Sequence, residues 1–582
     1  MPADPASVAG ADREGVRRGA HVGAYGCSLL TLLSLPRRGG PCLRSVLNVN
    51  VGILGHVDSG KTSLARALSK VVSTAALDRN PQSVARGITL DLGFSAFRPD
   101  EPPLSVREAG YDALQYTLVD CPGHASLIRT VLGGAQIIDI MLLVLDVTKG
   151  IQTQTAECLV VGELCTRDLV VVLNKCDMVP TEGRETALAK TEKRLRATFA
   201  NTKFPDATFV RCAARPGGPE SEASPEGLNA VVEALLARTK PPSKADLEAP
   251  LLFAVDHCFP IRGQGTVLTG TVLQGQLAVG QSVELPAFKL EKKVKSMQMF
   301  KKPVQVARRG DRLGVCVTQL DATLVERGVL AAPGSVPTID GALVRVERIR
   351  FYKQRIPSKA KVHVTVGHAT VMAVVHFFGR ELPAGGPEGD VAGFDFGADY
   401  AHQDELFGAG SWAPNDAEIE RSGVGWPREQ WALLDFETPV TCPLGSLLIA
   451  AKLDTDAHTP TCRLMFSGRL TCAFDAKDKA ELAKVRVYKL KGREGRVERM
   501  EKDGRTAVCT GLFKRETDLS LFTGMRVRSE NGAKGEIMGS FGKTGKVKVY
   551  FPDGLAEADD TKCRVVLEFK RYMHDGAKAM VQ

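Results

Sequence analysis

The stretch Val51-Gly52-Ile53-Leu54-Gly55-His56-Val57-Asp58-Ser59-Gly60-Lys61-Thr62 constrains this chain's fold more than any other. Val49, Val51 and Ile53 alternate as in a strand, and Leu64, Ala67, Leu68 and Val71 recur beyond it at helical spacing. Between them Gly55 to Thr62 reads G-x-x-x-x-G-K-T. Strand, glycine-rich turn and helix in that order make the setting of a phosphate-binding loop, whose backbone N–H groups and helix N-terminus face an anion. Gly55 and Gly60 let the backbone curl around Asp58 and Ser59; Lys61 reaches the outer phosphates, and the Thr62 hydroxyl suits Mg²⁺. The competing reading is a turn into an ordinary helix, and the flanking strand and helix weigh against it.

Further strands follow, each ending in a polar motif. Arg86-Gly87-Ile88-Thr89 lies in a turn-rich region, and Tyr116 to Val119 runs into Asp120-Cys121-Pro122-Gly123-His124. Ile140 to Val147 and Leu169 to Leu173 are continuous apolar runs, as strands buried on both faces of a parallel sheet require. The second ends in Asn174-Lys175-Cys176-Asp177, and Phe209-Val210 leads to Ala213-Ala214-Arg215. A helix carrying Leu228, Val231, Val232 and Leu235 on one face closes the unit before Pro241-Pro242. Motifs at the carboxyl ends of strands mark the ligand crevice of an open α/β sheet.

A chain of 582 residues predicts about four domains. We place a P-loop domain at 46–240 and a β-barrel domain at 247–336. A second barrel follows at 339–476, and a β-rich domain at 477–582. The fold class is therefore multidomain α/β plus β. Within the third unit, the Gly- and acid-rich stretch 383–426 reads as a disordered loop, and residues 1–45, with scattered Arg, as a disordered extension. The fourteen Cys form no C-x-x-C pair, which points to free thiols in a reducing compartment. No apolar run reaches the roughly 18 residues of a membrane span. The net charge of +9 favours a polyanionic partner such as RNA. Arg526 and Arg528, and Lys546 and Lys548, alternate with apolar residues, which gives the last domain basic strand faces suited to RNA or ribosome contact; a solvated barrel surface is the alternative.

The five ordered motifs of the first unit resemble the GTPase domain of EF-Tu-like translation factors. The resemblance implies GTP and Mg²⁺ as cofactors, with Gly55, Asp58, Ser59, Gly60, Lys61 and Thr62 around the phosphates. Asp120 would reach the metal through water, Gly123 would sense the γ-phosphate through its N–H, and Thr89 would close onto the metal beside Thr62. Asp177 would accept from guanine N1 and N2, Asn174 and Lys175 would brace the base, and the Ala214 N–H, between Ala213 and Arg215, would meet O6. His124 would orient the attacking water once a ribosome positions it, with Val57 and Ile88 as its apolar gate. Ser59 departs from the pattern, standing where general elongation factors carry a second histidine.

Gly263-Gln264-Gly265-Thr266-Val267-Leu268-Thr269-Gly270 is similar to the hallmark of the second domain in such factors, and Gly310-Asp311-Arg312-Leu313-Gly314 fits a later turn of that barrel. Adding Val255-Asp256-His257-Cys258-Phe259, the basic run Lys292 to Phe300 and the extra C-terminal domain, the chain resembles the selenocysteine-specific elongation factors of animals. That resemblance implies a GTPase stimulated by the ribosome. It would act as a monomer that carries selenocysteinyl-tRNA to the ribosome at recoded UGA codons. Its further partners would be the SECIS RNA and its binding protein. The location would be cytoplasmic, with the nucleus as a second site, and no membrane is involved. Asp256, His257 and Arg312 match the family's pocket for the selenocysteinyl group, a structural Arg bracing the barrel turn being the alternative for Arg312. Two other readings stay open. The γ subunit of initiation factor two usually carries a Cys₄ zinc knuckle absent here, and a general or mitochondrial elongation factor has no use for a fourth domain.

Overall fold

The computed structural model describes residues 46–69, 71–72, 92–123, 128–166, 168–218, 220–380, 393–408, 429–454, 461–542, 544–555, 563–574 and 580–582. Seven strands form the first sheet: β1 (Val46–Leu54), β2 (Val71–Val72), β3 (Gly93–Phe97), β4 (Ala113–Asp120), β5 (Ile140–Asp146), β6 (Asp168–Asn174) and β7 (Thr208–Arg211). Their order is β2-β3-β4-β1-β5-β6-β7. Pairing from β4 through β7 is parallel, whereas β3 runs antiparallel to β4. The apolar runs read from sequence are these central strands. Alternate residues feed two layers: Leu142 and Val144 pack with Leu64 and Val231 on one face, Leu143 and Leu145 with Ile128 and Leu159 on the other.

The helices are α1 (Lys61–Leu68), α2 (Leu104–Glu108), α3 (Ile128–Ala135), α4 (Thr153–Cys165), α5 (Arg184–Phe199), α6 (Leu228–Arg238) and α7 (Lys244–Glu248). The layer under α3 and α4 does not stop at the sheet. It runs on through Ala254, Ile349, Ile449 and Leu464, so the β domains pack on that side of the first unit.

Three closed barrels follow, and closure removes the open edges that a free sheet would present. The first contains β8 (Leu252–Ile261), β9 (Gly265–Gln274), β10 (Gln276–Ala278), β11 (Ser282–Leu285), β12 (Leu290–Met299), β13 (Lys302–Val304), β14 (Val306–Arg308), β15 (Arg312–Val317) and β16 (Gly328–Ala331). Its ring β11-β16-β8-β9-β15-β12 closes through β11–β12. The second is built from β17 (Thr338–Arg348), β18 (Lys361–Val366), β19 (Ala369–Arg380), β20 (Tyr400–Gln403), β21 (Glu429–Thr441), β22 (Leu447–Ala451) and β23 (Leu464–Ala473), and closes through β18–β19. After the short α8 (Lys479–Lys484), the third consists of β24 (Val487–Met500), β25 (Thr506–Thr510), β26 (Arg526–Ser529), β27 (Lys534–Phe541), β28 (Lys546–Tyr550), β29 (Arg564–Tyr572) and β30 (Met580–Val581). It closes through β24–β29. No helix among the described residues is long and apolar enough to cross a membrane.

One sequence expectation is corrected. Residues 393–408, inside the stretch 383–426 read as one disordered loop, are ordered and carry β20. This strand pairs antiparallel with β19 and parallel with β24, stitching the second barrel to the third. Aromatic burial drives the order: Phe394 stacks on Tyr400 at 4.8 Å and meets Trp431 edge-on at 5.0 Å. Beside them Asp399 accepts from Arg486 Nε at 2.7 Å, Tyr572 OH at 2.8 Å and Lys570 Nζ at 3.2 Å. Burial pushes its carboxyl up, but the Arg486, Tyr572 and Lys570 contacts hold it below the usual range. Asp399→Ala is expected to loosen the third barrel by about 1–2 kcal/mol, since these charged contacts are partly exposed. Limited trypsin cleavage between the barrels should speed up several-fold with GTP affinity unaltered; an unchanged rate refutes the clamp.

Candidate functional site

The motif residues converge at the carboxyl edge of the first sheet. The β1 strand delivers the loop Gly55–Gly60 into α1, with Ser59 buried and Asp58 exposed at its bend. Lys61, only 7% exposed, donates through Nζ to the His56 carbonyl at 2.7 Å. Burial lowers its pKa, an effect that a phosphate held there would reverse. Gly123, at the end of the β4 motif, lies directly over that ammonium. A Cβ at this position would stand 2.3 Å from Lys61 Nζ and 3.0 Å from Val57 N, so a side chain here would push the ammonium out of its place. The Thr62 hydroxyl donates to Asp120 Oδ2 at 2.7 Å. A hydroxyl and a carboxylate oxygen brought together beside a phosphate cradle are the hard donors that Mg²⁺ takes, so the residues fit that ion. Thr89, Ile88 and His124 lie outside the described residues.

The base-recognition loops are tied to the phosphate loop by one side chain. Asn174, buried at the end of β6, donates to Ser59 O at 2.9 Å and accepts from Ala214 N–H at 3.0 Å. The Ala214 N–H, expected to serve guanine O6, donates to Asn174 Oδ1 in this structure. Ala213 N–H is engaged with Glu226 O at 3.0 Å, and Arg215 follows in the same loop. Lys175 pairs with Asp146 at 2.9 Å, which holds it across the site, and Asp177 Oδ2 accepts from Gly217 N–H at 3.1 Å. Asn174 thus links the phosphate loop to the loop that carries Ala214.

The domain-two residues Asp256, His257 and Arg312 also come together. A register shift between Val255 and His257 makes Asp256 the extra residue of a β-bulge, which re-aims its side chain. Arg312, 5% exposed, pairs through Nη1 with Asp256 Oδ2, and Thr269 Oγ1 donates to Asp256 Oδ1 at 2.6 Å. Burial pushes the Asp256 carboxyl up, but Arg312 outweighs it and holds it below the usual carboxylate range. The Arg312 guanidinium also lies over the Phe94 ring of β3, 3.2 Å from its centroid. Arg312 thus braces the barrel against the GTPase-type sheet while facing a cleft of about 120 Å³. Gln264, Gln298, Phe300 and Cys316 line that cleft too. Asp256 and His257 instead border a water-sized gap shared with Gly133, Arg327 and His368. Phe94 was missed from sequence; its position two residues after an apolar Leu92 gave no sign of a ring aimed at another domain.

On the third barrel, Arg526 and Arg528 are exposed as expected. Lys546 and Lys548 do not offer bare charge: they pair with Glu498 and Glu501, each at 2.7 Å. Such partly exposed pairs are worth at most about 1 kcal/mol, so a phosphate could exchange with either carboxylate.

Phosphate cradle, Asp120 motif and base loops on a mixed sheet, followed by closed barrels, define a translational GTPase of the EF-Tu type. Profiles of the elongation factor Tu GTP-binding domain and domain 2 match residues 47–261 and 265–328. Those of the eukaryotic selenocysteine-specific elongation factor third domain and its C-terminal RIFT domain match 343–468 and 483–564. The mouse selenocysteine-specific elongation factor is 46% identical over 92% of this chain and 99% of its own length. The Methanocaldococcus jannaschii factor is 35% identical over 56% of this chain and 66% of its own. The crystal structure of SelB from Methanococcus maripaludis with the GTP analogue GppNHp superposes with a TM-score of 0.66 at 26% identity, over 91% of this chain and 99% of SelB. The chain belongs to the selenocysteine-specific elongation factors, and its first domain is a GTP-binding GTPase domain.

Proposed function

We propose that this protein carries selenocysteinyl-tRNA to the ribosome at UGA codons recoded by a SECIS element, and that ribosome-stimulated GTP hydrolysis releases it. The observation that carries the reading is the Arg312 guanidinium, paired with Asp256 and set over Phe94 at the seam between nucleotide and barrel domains. Thr62 and Asp120, with Thr89, would hold Mg²⁺, which when bound neutralises charge on the β- and γ-phosphates. Lys61 binds the phosphates, Asp177 reads guanine, and the Gly123 N–H reports the γ-phosphate to the segment that follows it. The exposed Arg526 and Arg528, with Lys546 and Lys548, take RNA phosphates, whether of the tRNA, the ribosome or the SECIS complex with its binding protein.

A selenol is more acidic than a thiol, so the esterified side chain is an anion at neutral pH, whereas serine is neutral. A full charge pair at 4 Å is worth about 4 kcal/mol at an effective dielectric near 20. Arg312 shares its charge with Asp256, so a net preference of about 1–2 kcal/mol is expected. Protection of the ester bond by the GTP-bound protein, measured for selenocysteinyl- and seryl-tRNA, tests the reading. Arg312→Ala should reduce the preference about tenfold. Equal loss toward both tRNAs would make Arg312 a brace alone, and a preference for initiator or general elongator tRNA would overturn the carrier function.

A further inference from the structure

The turn that leads into Arg312 is locked into the base of the GTPase sheet. Asn48 of β1, buried, donates through Nδ2 to Asp311 Oδ1 at 2.6 Å and accepts at Oδ1 from Gln115 Nε2 at 2.8 Å. Gln115 in turn accepts from Arg98 Nε at 2.9 Å. The other Asp311 oxygen accepts from the Arg308 N–H at 2.8 Å, which closes the turn on itself. One residue earlier the approach is tighter still. Gly310 has φ +89, and a Cβ there would stand 2.4 Å from the Asn48 carbonyl oxygen. Asn50 Nδ2 holds the Gly310 carbonyl at 3.1 Å, and Arg309 bridges Asp246 at 3.1 Å and Asp139 at 3.5 Å.

Just before β15, Asp311 grips β1, and Arg312, the first residue of that strand, reaches Phe94 on β3. The strands β1 and β3 flank β4 in the sheet, so one short turn of the barrel fixes itself to the GTPase domain at two strands.

The structure assigns Asn48 and Asp311 as a positioning pair: their hydrogen bond sets where the Arg312 guanidinium stands over Phe94, and through it the choice of aminoacyl group. This rests on the carrier reading above. Neither residue touches the cleft, and neither belongs to the nucleotide site. The contact is directional, an amide donor on one side and a carboxylate acceptor on the other. Burial raises the Asp311 carboxyl to about 6 against the Arg308 N–H and Asn48 contacts, so at neutral pH it is an ion held mainly by neutral donors.

That directionality supplies the test. Asn48→Asp sets two carboxylates against each other with no donor between them. The double variant Asn48→Asp with Asp311→Asn reverses the pair. Its new amide can donate across the junction while its oxygen still accepts from the Arg308 N–H, and the Gln115 contact is kept. The full-length protein is assayed for GTP affinity and for the ratio of affinities for selenocysteinyl- and seryl-tRNA. The single variant is expected to bind GTP normally and lose about tenfold of the ratio, and the double variant to recover it to within about twofold. An unchanged ratio in the single variant, or a double variant that binds GTP yet stays unselective, overturns the assignment. If the unaltered protein shows no preference between the two tRNAs, the carrier reading fails instead. The crystal structure of Asn48→Asp then decides the contact alone: Arg312 displaced from Phe94 supports it, and Arg312 in place overturns it.

Discussion

Arg463→Ala is expected to free helix α4 from the second barrel, with a loss of about 3–5 kcal/mol. The reason is a buried ion pair between domains. Glu157 of α4 accepts from Arg463 at three points: the backbone N–H at 3.1 Å, Nε at 3.0 Å and Nη2 at 2.8 Å. The two side chains are only 4% and 6% exposed. Removing the arginine side chain takes away the charge and two of these donors and leaves the buried carboxylate with only the backbone N–H of position 463. A neighbouring pair on the same helix, Arg350–Glu163 at 2.7 Å, has its arginine 44% exposed. It should be worth less than about 1 kcal/mol, so it cannot substitute. Amide hydrogen exchange along Thr153–Cys165 would show protection falling on the order of 10²–10³-fold. Replacing both partners by apolar residues, Glu157→Leu with Arg463→Met, should restore most of it, because the cost lies in the unmatched charge. Full protection in Arg463→Ala would mean that the pair does not hold the interface.

This ion pair shows where a sequence stops being informative. Glu157 and Arg463 lie 306 positions apart, and neither sits in a motif or a periodic pattern. The parallel strands were legible because burial on both faces demands unbroken runs such as Ile140 to Asp146, and the nucleotide motifs because they fall where those runs end. The barrels were legible from alternating strands and the Gly263–Gly270 hallmark, although the strand pairs that close each ring, such as β11–β12, were not. What escaped was aromatic chemistry across domains. Phe94 stands under Arg312, and Phe394 and Tyr400 sit in a stretch so rich in Gly and Asp that composition hid two anchors of a joint. Three of the residues read from sequence also have protein partners that spacing did not show. Asn174 holds loops together, and Lys546 and Lys548 already have carboxylate partners. Motif spacing names a residue but does not say which of its neighbours has taken its hydrogen bonds.

His124→Ala is expected to slow ribosome-stimulated GTP hydrolysis by on the order of 10² or more while leaving GTP affinity within about twofold. His124 itself lies outside the described residues, and Gly123 directly precedes it. A Cβ on Gly123 would meet Lys61 Nζ at 2.3 Å and Val57 N at 3.0 Å, so this residue lies against the lysine that would take the outermost phosphate. The next residue in sequence is a histidine, whose imidazole can orient a water by one hydrogen bond at neutral pH. Affinity should survive because the groups that grip the nucleotide lie elsewhere: the phosphate loop through Lys61 and Thr62, and the base loops braced by Asn174. A misplaced water, by contrast, lowers only the chemical step, so turnover and binding separate. Single-turnover hydrolysis with ribosomes, set beside equilibrium binding of a non-hydrolysable GTP analogue, measures both. A stimulated rate equal to that of the unaltered protein would remove His124 from the mechanism, and a parallel loss of GTP affinity would make it part of the nucleotide's binding site.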